Sequence, residues 1–424
     1  MGSAMDLLDD LDARGMIHDS TDRAALASRL AVGPIGVYVG FDPTADSLHV
    51  GHLVGQLYLR RFQLAGHRPF PLAGGATGMV GDPSGASDER NLLDLETLRH
   101  NVTCIEAQLR RLLDFSPGRF QARLVNNADW TEGVTLLDFL RDVGKFVTIN
   151  QMLAKDSVRS RLDSDTGLSF TEFSYSLLQA NDFRHLYEHE GVEMQAGGSD
   201  QWGNIVAGVD LIRRSIGKAA HAMTHPLVTK ADGTKFGKSA GGAVWLDPLR
   251  TSPYQFRQFW IQVDDAMVGR YLHMLSMQSI ESIDGVLAEH VEAPDKRTAQ
   301  RALADELTEL VHGAEALDAA RDAATVLFGG DPTTASEATL AAVAREVPSS
   351  RVPSDALDDL LGVLVGSGLA SSNSDARRTL QQNGLRANGR VLSEGTLLTE
   401  VPLLHSRFLL LRKGKSNHHL LEIS

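Results

Sequence analysis

The chain has 424 residues, 42% of them hydrophobic and 22% charged, and a formal net charge of -13. This is globular composition, long enough for two or three domains, and its acidity excludes a surface that coats nucleic acid throughout while leaving room for a local basic patch. A single cysteine, Cys104, excludes an internal disulfide and a cysteine-rich zinc site and is expected to be packed on a helix. No apolar run is long enough to span a bilayer. The first residues carry Asp6, Asp9, Asp10 and Asp12 rather than the basic and apolar regions of a signal peptide, so a cytoplasmic protein is expected.

Residues 6 to 32 read as helices. Ile35 to Phe41 reads as a strand that breaks at Asp42-Pro43. A helix starts at Gly51, with Leu53, Leu57 and Phe62 near helical spacing. Arg68 to Ala73 is a second strand, running into a glycine-dense loop from Gly74 to Gly85 that lets backbone approach a ligand. Helices are predicted over 94–114 and 135–143, with a short strand from Arg123 to Asn126 between them. The pattern is helical again over 147–162 and 171–187. Val192 to Ala196 is a strand ending in Gly197-Gly198-Ser199-Asp200-Gln201-Trp202, followed by a helix to about Arg214; His225 to Val228 is another strand candidate. Strands alternating with helices predict an α/β fold with a doubly wound parallel sheet.

In such a sheet ligands lie beyond the carboxyl ends of the strands. Three strands here end in glycine-rich or histidine-bearing turns, near residues 42, 75 and 197, all expected on one rim. His49 and His52 stand where a helix begins, beside unpaired backbone N–H groups that make an anion site. A helix cap alone explains them equally well unless the chain supplies a partner. No third and fourth ligands cluster with them, so no metal site is read there. The loop Lys230-Ala231-Asp232-Gly233-Thr234-Lys235-Phe236-Gly237-Lys238-Ser239 supplies a partner if it is a mobile cationic flap.

Ser252 to Phe328 is helical. Gly329 to Pro353, rich in proline, glycine, serine and threonine, reads as a linker. Beyond it come short helices (355–365 and 374–382), a hairpin over 385–392 with an Asn388-Gly389 turn, and a second hairpin pairing 408–411 with 418–423. This tail gathers Arg377, Arg378, Arg386, Arg390, Arg407, Arg412, Lys413 and Lys415, an electrostatic footprint for a polyanion.

His49-Val50-Gly51-His52 and Lys235-Phe236-Gly237-Lys238-Ser239 resemble the two signatures of class I aminoacyl-tRNA synthetases. The stretch from Tyr38 to His52, Gly81-Asp82-Pro83-Ser84-Gly85, Phe170-Thr171-Glu172-Phe173-Ser174-Tyr175 and Gly197-Gly198-Ser199-Asp200-Gln201-Trp202-Gly203-Asn204 narrow the resemblance to the bacterial tyrosyl-tRNA synthetase family. It implies a Rossmann-type catalytic domain over 1–246, an α-helical tRNA-contacting domain over 247–330, a linker over 331–353 and an S4-like RNA-binding domain over 354–424. It also implies ATP as a substrate, Mg2+ on the ATP phosphates with no dedicated protein site, tRNA(Tyr) as partner, and a homodimer.

The resemblance assigns Thr44, His49, His52, Lys235, Lys238, Ser239 and Arg90 to catalysis on the phosphates. Gly40, Gly198 and Asp200 join the histidines and lysines around ATP. Asp82, Tyr175 and Gln179 surround the tyrosine ammonium, Gln201 lies near its carboxylate, Tyr38 and Asp182 reach the phenol, and Asp42 joins the tyrosine-binding residues, with reaction near Asp42 and Gly40. Tyr175, Gln179 and Asp182 fall at helical spacing and share one face. Arg377, Arg378, Arg386, Arg412, Lys413 and Lys415 are assigned to RNA. The chain departs from the family at Gly55, where relatives often carry threonine, and at Ala86-Ser87-Asp88-Glu89, where many carry a lysine. It also has Lys145-Phe146-Val147 in place of Lys-His-Phe.

Overall fold

The computed structural model describes residues 6–82, 93–153, 158–159, 168–229, 237–239 and 242–424, with backbone alone at 238 and 239. Met1–Asp247 with Ile261–Leu303 form one compact unit, and Pro248–Trp260 with Ala304–Ser424 form a second. The helical stretch 247–330 is therefore shared, its middle lying with the sheet and its last part with the tail.

The first unit is built on a six-stranded sheet: β1 (Asp19–Ser20), β2 (Gly36–Phe41), β3 (Arg68–Ala73), β4 (Val125–Asn126), β5 (Val192–Gly198) and β6 (His221–His225). The order is β1-β6-β5-β2-β3-β4, all pairs parallel except β1 with β6. From β2 the chain builds outwards through β3 and β4, then returns to the other side for β5 and β6. The direction of winding reverses between β2 and β5, and that crevice at the strand ends is where an open α/β sheet takes its ligand. β2 is buried on both faces along most of its length, as a central parallel strand must be. β3 tolerates Pro69 and Pro71 because β4 pairs only with Leu72 and Ala73.

Side-chain caps set the helix starts. Asp94 accepts from Thr97 N–H, and Ser169 with Glu172 forms a capping box at the helix Phe170–Glu190. Two expectations are corrected. The sixth strand is His221–His225, not 225–228, because Pro226 ends it and tertiary packing buries its polar residues. The segment 6–32 contains the two-residue edge strand β1 between its helices. Cys104 lies on the helix Leu95–Leu112 as expected, half-buried, with Sγ 3.6 Å from His100 Nε2. The helix predicted over 147–162 is described only as Ile149–Leu153. No helix among the described residues is long and apolar enough to cross a membrane.

The second unit carries a five-stranded sheet, order β11-β10-β12-β13-β9, from β9 (Ser349–Val352), β10 (Leu385–Ala387), β11 (Arg390–Val391), β12 (Phe408–Lys413) and β13 (Asn417–Ile423). β12 is buried on both faces with a period of two. Leu409 and Leu411 pack with Leu364, Leu380, Leu385 and Leu421, while Phe408 and Leu410 pack with Ala323, Val326, Leu340 and Val343. The stretch expected as a linker holds a helix, Glu337–Glu346, and strand β9. Ser336 is the helix cap, accepting from Thr339 N–H, so the polar composition marks a helix start rather than loose chain. The Asn388-Gly389 turn has positive φ at both residues, 45° and 82°, as its hairpin requires.

Candidate active site

A cavity of about 600 Å³ opens at the winding reversal, lined from the ends of β2, β5 and β6, the helix Val50–Leu64 and the helix Phe170–Glu190. It collects Tyr38, Gly40, Asp42, Thr44, His49, His52, Asp82, Tyr175, Gln179, Asp182, Gly198, Asp200 and Gln201, which were assigned from widely separated motifs. Arg90 and Lys235 lie outside the described residues. Lys238 and Ser239 are described as backbone of a short hairpin, β7 (Lys238–Ser239) with β8 (Gly242–Ala243).

At one end stand the histidines. His49 Nδ1 accepts from Gly51 N–H at 3.0 Å, and His52 Nδ1 accepts from His49 N–H at 3.2 Å. Each neutral ring therefore carries its hydrogen on Nε2, and both residues line the cavity. The ring centroids lie 4.0 Å apart. The chain leaving β8 runs back along this turn. Val50 N–H donates to Val244 O at 3.0 Å, Leu246 N–H to Leu48 O at 2.8 Å, and His49 bridges Trp245. The exit of the lysine loop is thus hydrogen-bonded to the histidine turn. Gly237, at φ 98°, approaches it so closely that a Cβ would lie 3.0 Å from Val50 Cγ2.

The other end is acidic. Tyr175 O–H donates to Asp42 Oδ2 at 2.9 Å, and Thr77 O–H to Asp42 Oδ1 at 3.2 Å. Gln201 Nε2 donates to Asp82 at 2.6 Å, so the glutamine is held on the carboxylate of Asp82. Asp182, 3% exposed, accepts from Asn127 Nδ2 and from Trp130 Nε1, each at 2.9 Å. Burial raises the Asp182 carboxyl to about 7 against these two donors. Burial, with Asp42 and Asp82 nearby, pushes the Tyr175 hydroxyl up, and burial with Asp182 does the same to Tyr38; both stay hydroxyl donors. Tyr38 O–H, Gln179 Oε1 and Gln195 Oε1 are buried with no protein partner among the described residues. Such groups in a cavity wall read as ligand contacts.

Between the ends, Gly40 leaves open room; a Cβ there would touch only Leu72, at 4.0 Å. Gly55 packs its helix onto β2, where a Cβ would lie 3.2 Å from Val39 Cγ1. Asn127, Trp130, Thr77, Gln195, His225, Leu227 and Val228 were not anticipated. Gln195 carried a signal, a polar residue inside an otherwise buried strand. Asn127 carried another, a polar residue just past the carboxyl end of a predicted strand. His225 is driven down to about 4 by burial, against the Pro226 carbonyl that accepts from its Nδ1–H.

The second unit separates its cations. Arg377 pairs with Glu394, Arg378 and Lys413 pair with Asp375, and Arg407 with Glu422. Arg386, Arg390, Arg412 and Lys415 have no carboxylate partner among the described residues. The three arginines line one cavity of about 410 Å³, with Arg386 and Arg412 opposite each other across β10 and β12.

The sequence matches the family described as tRNA synthetases class I (W and Y) over residues 31–329, and the Tyrosine–tRNA ligase SYY-like C-terminal domain over 339–421. The Tyrosine–tRNA ligase of Roseiflexus castenholzii is 50% identical over 425 residues, covering 98% of this chain and 99% of its own length. That of Streptomyces griseus is 50% identical over 421 residues, covering 99% of each. Among solved structures, a C-terminally truncated mitochondrial tyrosyl-tRNA synthetase of Aspergillus nidulans superposes with a TM-score of 0.71 at 32% identity, over 77% of this chain and 95% of that one.

Proposed function

We infer the activity from kinship: the chain belongs to the class I tRNA synthetases and, within them, to the tyrosine–tRNA ligases. It activates L-tyrosine with ATP and charges tRNA(Tyr). A tyrosine carboxylate oxygen bonds to the α-phosphorus as the bond to the departing pyrophosphate breaks. A hydroxyl of the terminal ribose then attacks the tyrosyl carbonyl, and AMP leaves. The protein forms no covalent bond in either step. Its contribution is orientation, together with donors aimed at phosphate charge.

The observation that carries this reading is the polarity of the cavity, with two Nε2–H donors at one end and three carboxylates at the other. Tyrosine lies at the acidic end. Asp82, Tyr175 and Gln179 hold its ammonium, Gln201 borders the carboxylate, Tyr38 and Asp182 take the phenol, and Asp42 stands near the reacting groups. Refusal of phenylalanine follows, because it would leave buried polar groups unpaired. ATP lies across Gly40, with Thr44, His49 and His52 towards its phosphates and Gly198 and Asp200 towards its ribose. Lys235, Lys238, Ser239 and Arg90 join them by the family's pattern. Mg2+ is placed on the ATP phosphates; among the described residues no three His, Cys, Asp or Glu side chains could hold an ion.

In the S4-like module over 354–424, which lies within the second unit, Arg386, Arg412 and Lys415, with no carboxylate partner among the described residues, face tRNA, with Arg377, Arg378 and Lys413 flanking them. The enzyme works as a cytoplasmic homodimer. Leu136, Leu137, Leu140, Ile149 and Phe170 are each 50% to 77% exposed, apolar side chains that support pairing with a second copy. ATP–pyrophosphate exchange with each amino acid tests the activity. Exchange with tyrosine is expected, and exchange with tryptophan but not tyrosine would overturn the reading, since indole offers a single donor where Tyr38 and Asp182 await a hydroxyl.

A further inference from the structure

Asn127 is fully buried, and its amide is completely committed. Its Oδ1 accepts from Ala76 N–H at 2.7 Å, which fixes the NH2 on the other side. One N–H goes to Asp182 Oδ2 at 2.9 Å and the other to Thr77 Oγ1 at 3.0 Å. Having accepted from Asn127, the Thr77 hydroxyl directs its own hydrogen to Asp42 Oδ1. Asp42 is held on its other oxygen by Tyr175. The chain of bonds runs Asp182, Asn127, Thr77, Asp42, Tyr175, and the direction of every donor is determined. Gly74 makes room for the joint: a Cβ there would lie 2.5 Å from both Asp42 Oδ1 and Thr77 Oγ1.

We propose that Thr77 is a positioning residue whose hydroxyl couples the phenol-reading end of the pocket to Asp42, near which the reaction takes place. Recognition of the phenol is then felt in the rate of activation as well as in binding. When a phenol donates to Asp182, charge is withdrawn from the oxygen shared with Asn127, and the Asn127–Thr77–Asp42 bonds readjust with it. A substrate lacking the hydroxyl leaves Asp42 in its resting position. This rests on the placement of tyrosine given above.

The test is ATP–pyrophosphate exchange by the full-length chain, with tyrosine and with phenylalanine, for wild type, Thr77→Val, Thr77→Ser and Tyr38→Phe. Valine keeps the shape of threonine and removes the hydroxyl; serine keeps the hydroxyl. Thr77→Val is expected to lower kcat with tyrosine roughly tenfold, the loss of one hydrogen bond to a charged group, with a smaller rise in KM. The tyrosine-to-phenylalanine ratio of kcat should shrink, and Thr77→Ser should restore it. Equal changes in KM for both amino acids, with the kcat ratio kept, would overturn the coupling and leave Thr77 as packing. An undiminished preference for tyrosine in Tyr38→Phe would instead overturn the placement of the substrate.

Discussion

Asp182 is where burial and hydrogen bonding pull against each other. Burial raises its carboxyl to about 7, while Asn127 and Trp130 donate to it and favour the ionised form. An ionised oxygen accepts a phenol hydrogen more strongly than a neutral carboxyl does, so tyrosine in the proposed placement draws Asp182 towards its charged state. Binding is therefore weakest below about 7 and strengthens as pH rises through that value. KM for tyrosine in pyrophosphate exchange should fall between pH 6 and pH 8 by up to about tenfold, and Asp182→Asn should flatten the profile. A sequence shows Asp182, and helical spacing places it beside Tyr175 and Gln179. It does not show the donors, because Asn127 and Trp130 come from the end of a different strand and meet Asp182 only through tertiary packing.

At the scale of elements, the helix Val50–Leu64 begins with a residue that does two things. His49 caps the helix through Nδ1, which leaves the hydrogen of its neutral ring on Nε2. His49→Ala removes both, and loss of the cap alone is worth about 1 kcal/mol. His49→Asn keeps a capping side chain and removes the Nε2–H donor. Both variants should slow adenylate formation by about a hundredfold with little effect on tyrosine binding, as expected of a donor whose partner gains charge in the transition state. Only the alanine variant should lose melting temperature, by calorimetry. An unchanged rate in His49→Asn would reduce the histidine to a cap. The strand, turn and helix around this motif were readable because an apolar run breaks at Asp42-Pro43 and Leu53, Leu57 and Phe62 then recur near helical spacing. β1 was not, being two residues long, and β6 was misplaced because His221, Thr224 and His225 are buried by neighbours that the local pattern does not reveal. The helix Glu337–Glu346 was hidden by its own cap, since serine and threonine mark helix starts and loops alike.

For the whole molecule, removing residues 354–424 is a poor test of the tail. It would strip Leu404, Phe408, Leu410 and Leu420 from Ala323, Val326, Leu340 and Val343, exposing the core of the second unit. Point substitutions separate charge from folding. Arg412→Ala and Arg386→Ala should each weaken tRNA binding and lower the slope of log affinity against log salt by about one. Arg378→Ala should do so less, because Asp375 already holds that guanidinium. Filter binding across a salt series measures this, and equal slopes would refute the division. Amino-acid activation should be the same in all three. On the catalytic unit, Leu137→Lys places a charge on a leucine that is 77% exposed. It should shift the proposed dimer to monomer in sedimentation, with the fold retained. The basic tail was legible in composition, but which of its cations are free was not, because ion pairs form between residues that folding brings together.

The return of the chain from β8 along the histidine turn sets an order of assembly. Asp247 N–H donates to Ser47 Oγ at 3.2 Å, a contact 200 residues apart in sequence. Pairings of such separation form late, after the loop they close has been organised. During synthesis at about 5 to 20 residues per second, the turn bearing His49 waits on the order of ten seconds or more before its partner leaves the ribosome. A nascent chain short of residue 247 therefore has strands and helices but an unfinished nucleotide site. ATP binding by stalled chains of increasing length should appear only once that segment has emerged, making it a marker of completed folding.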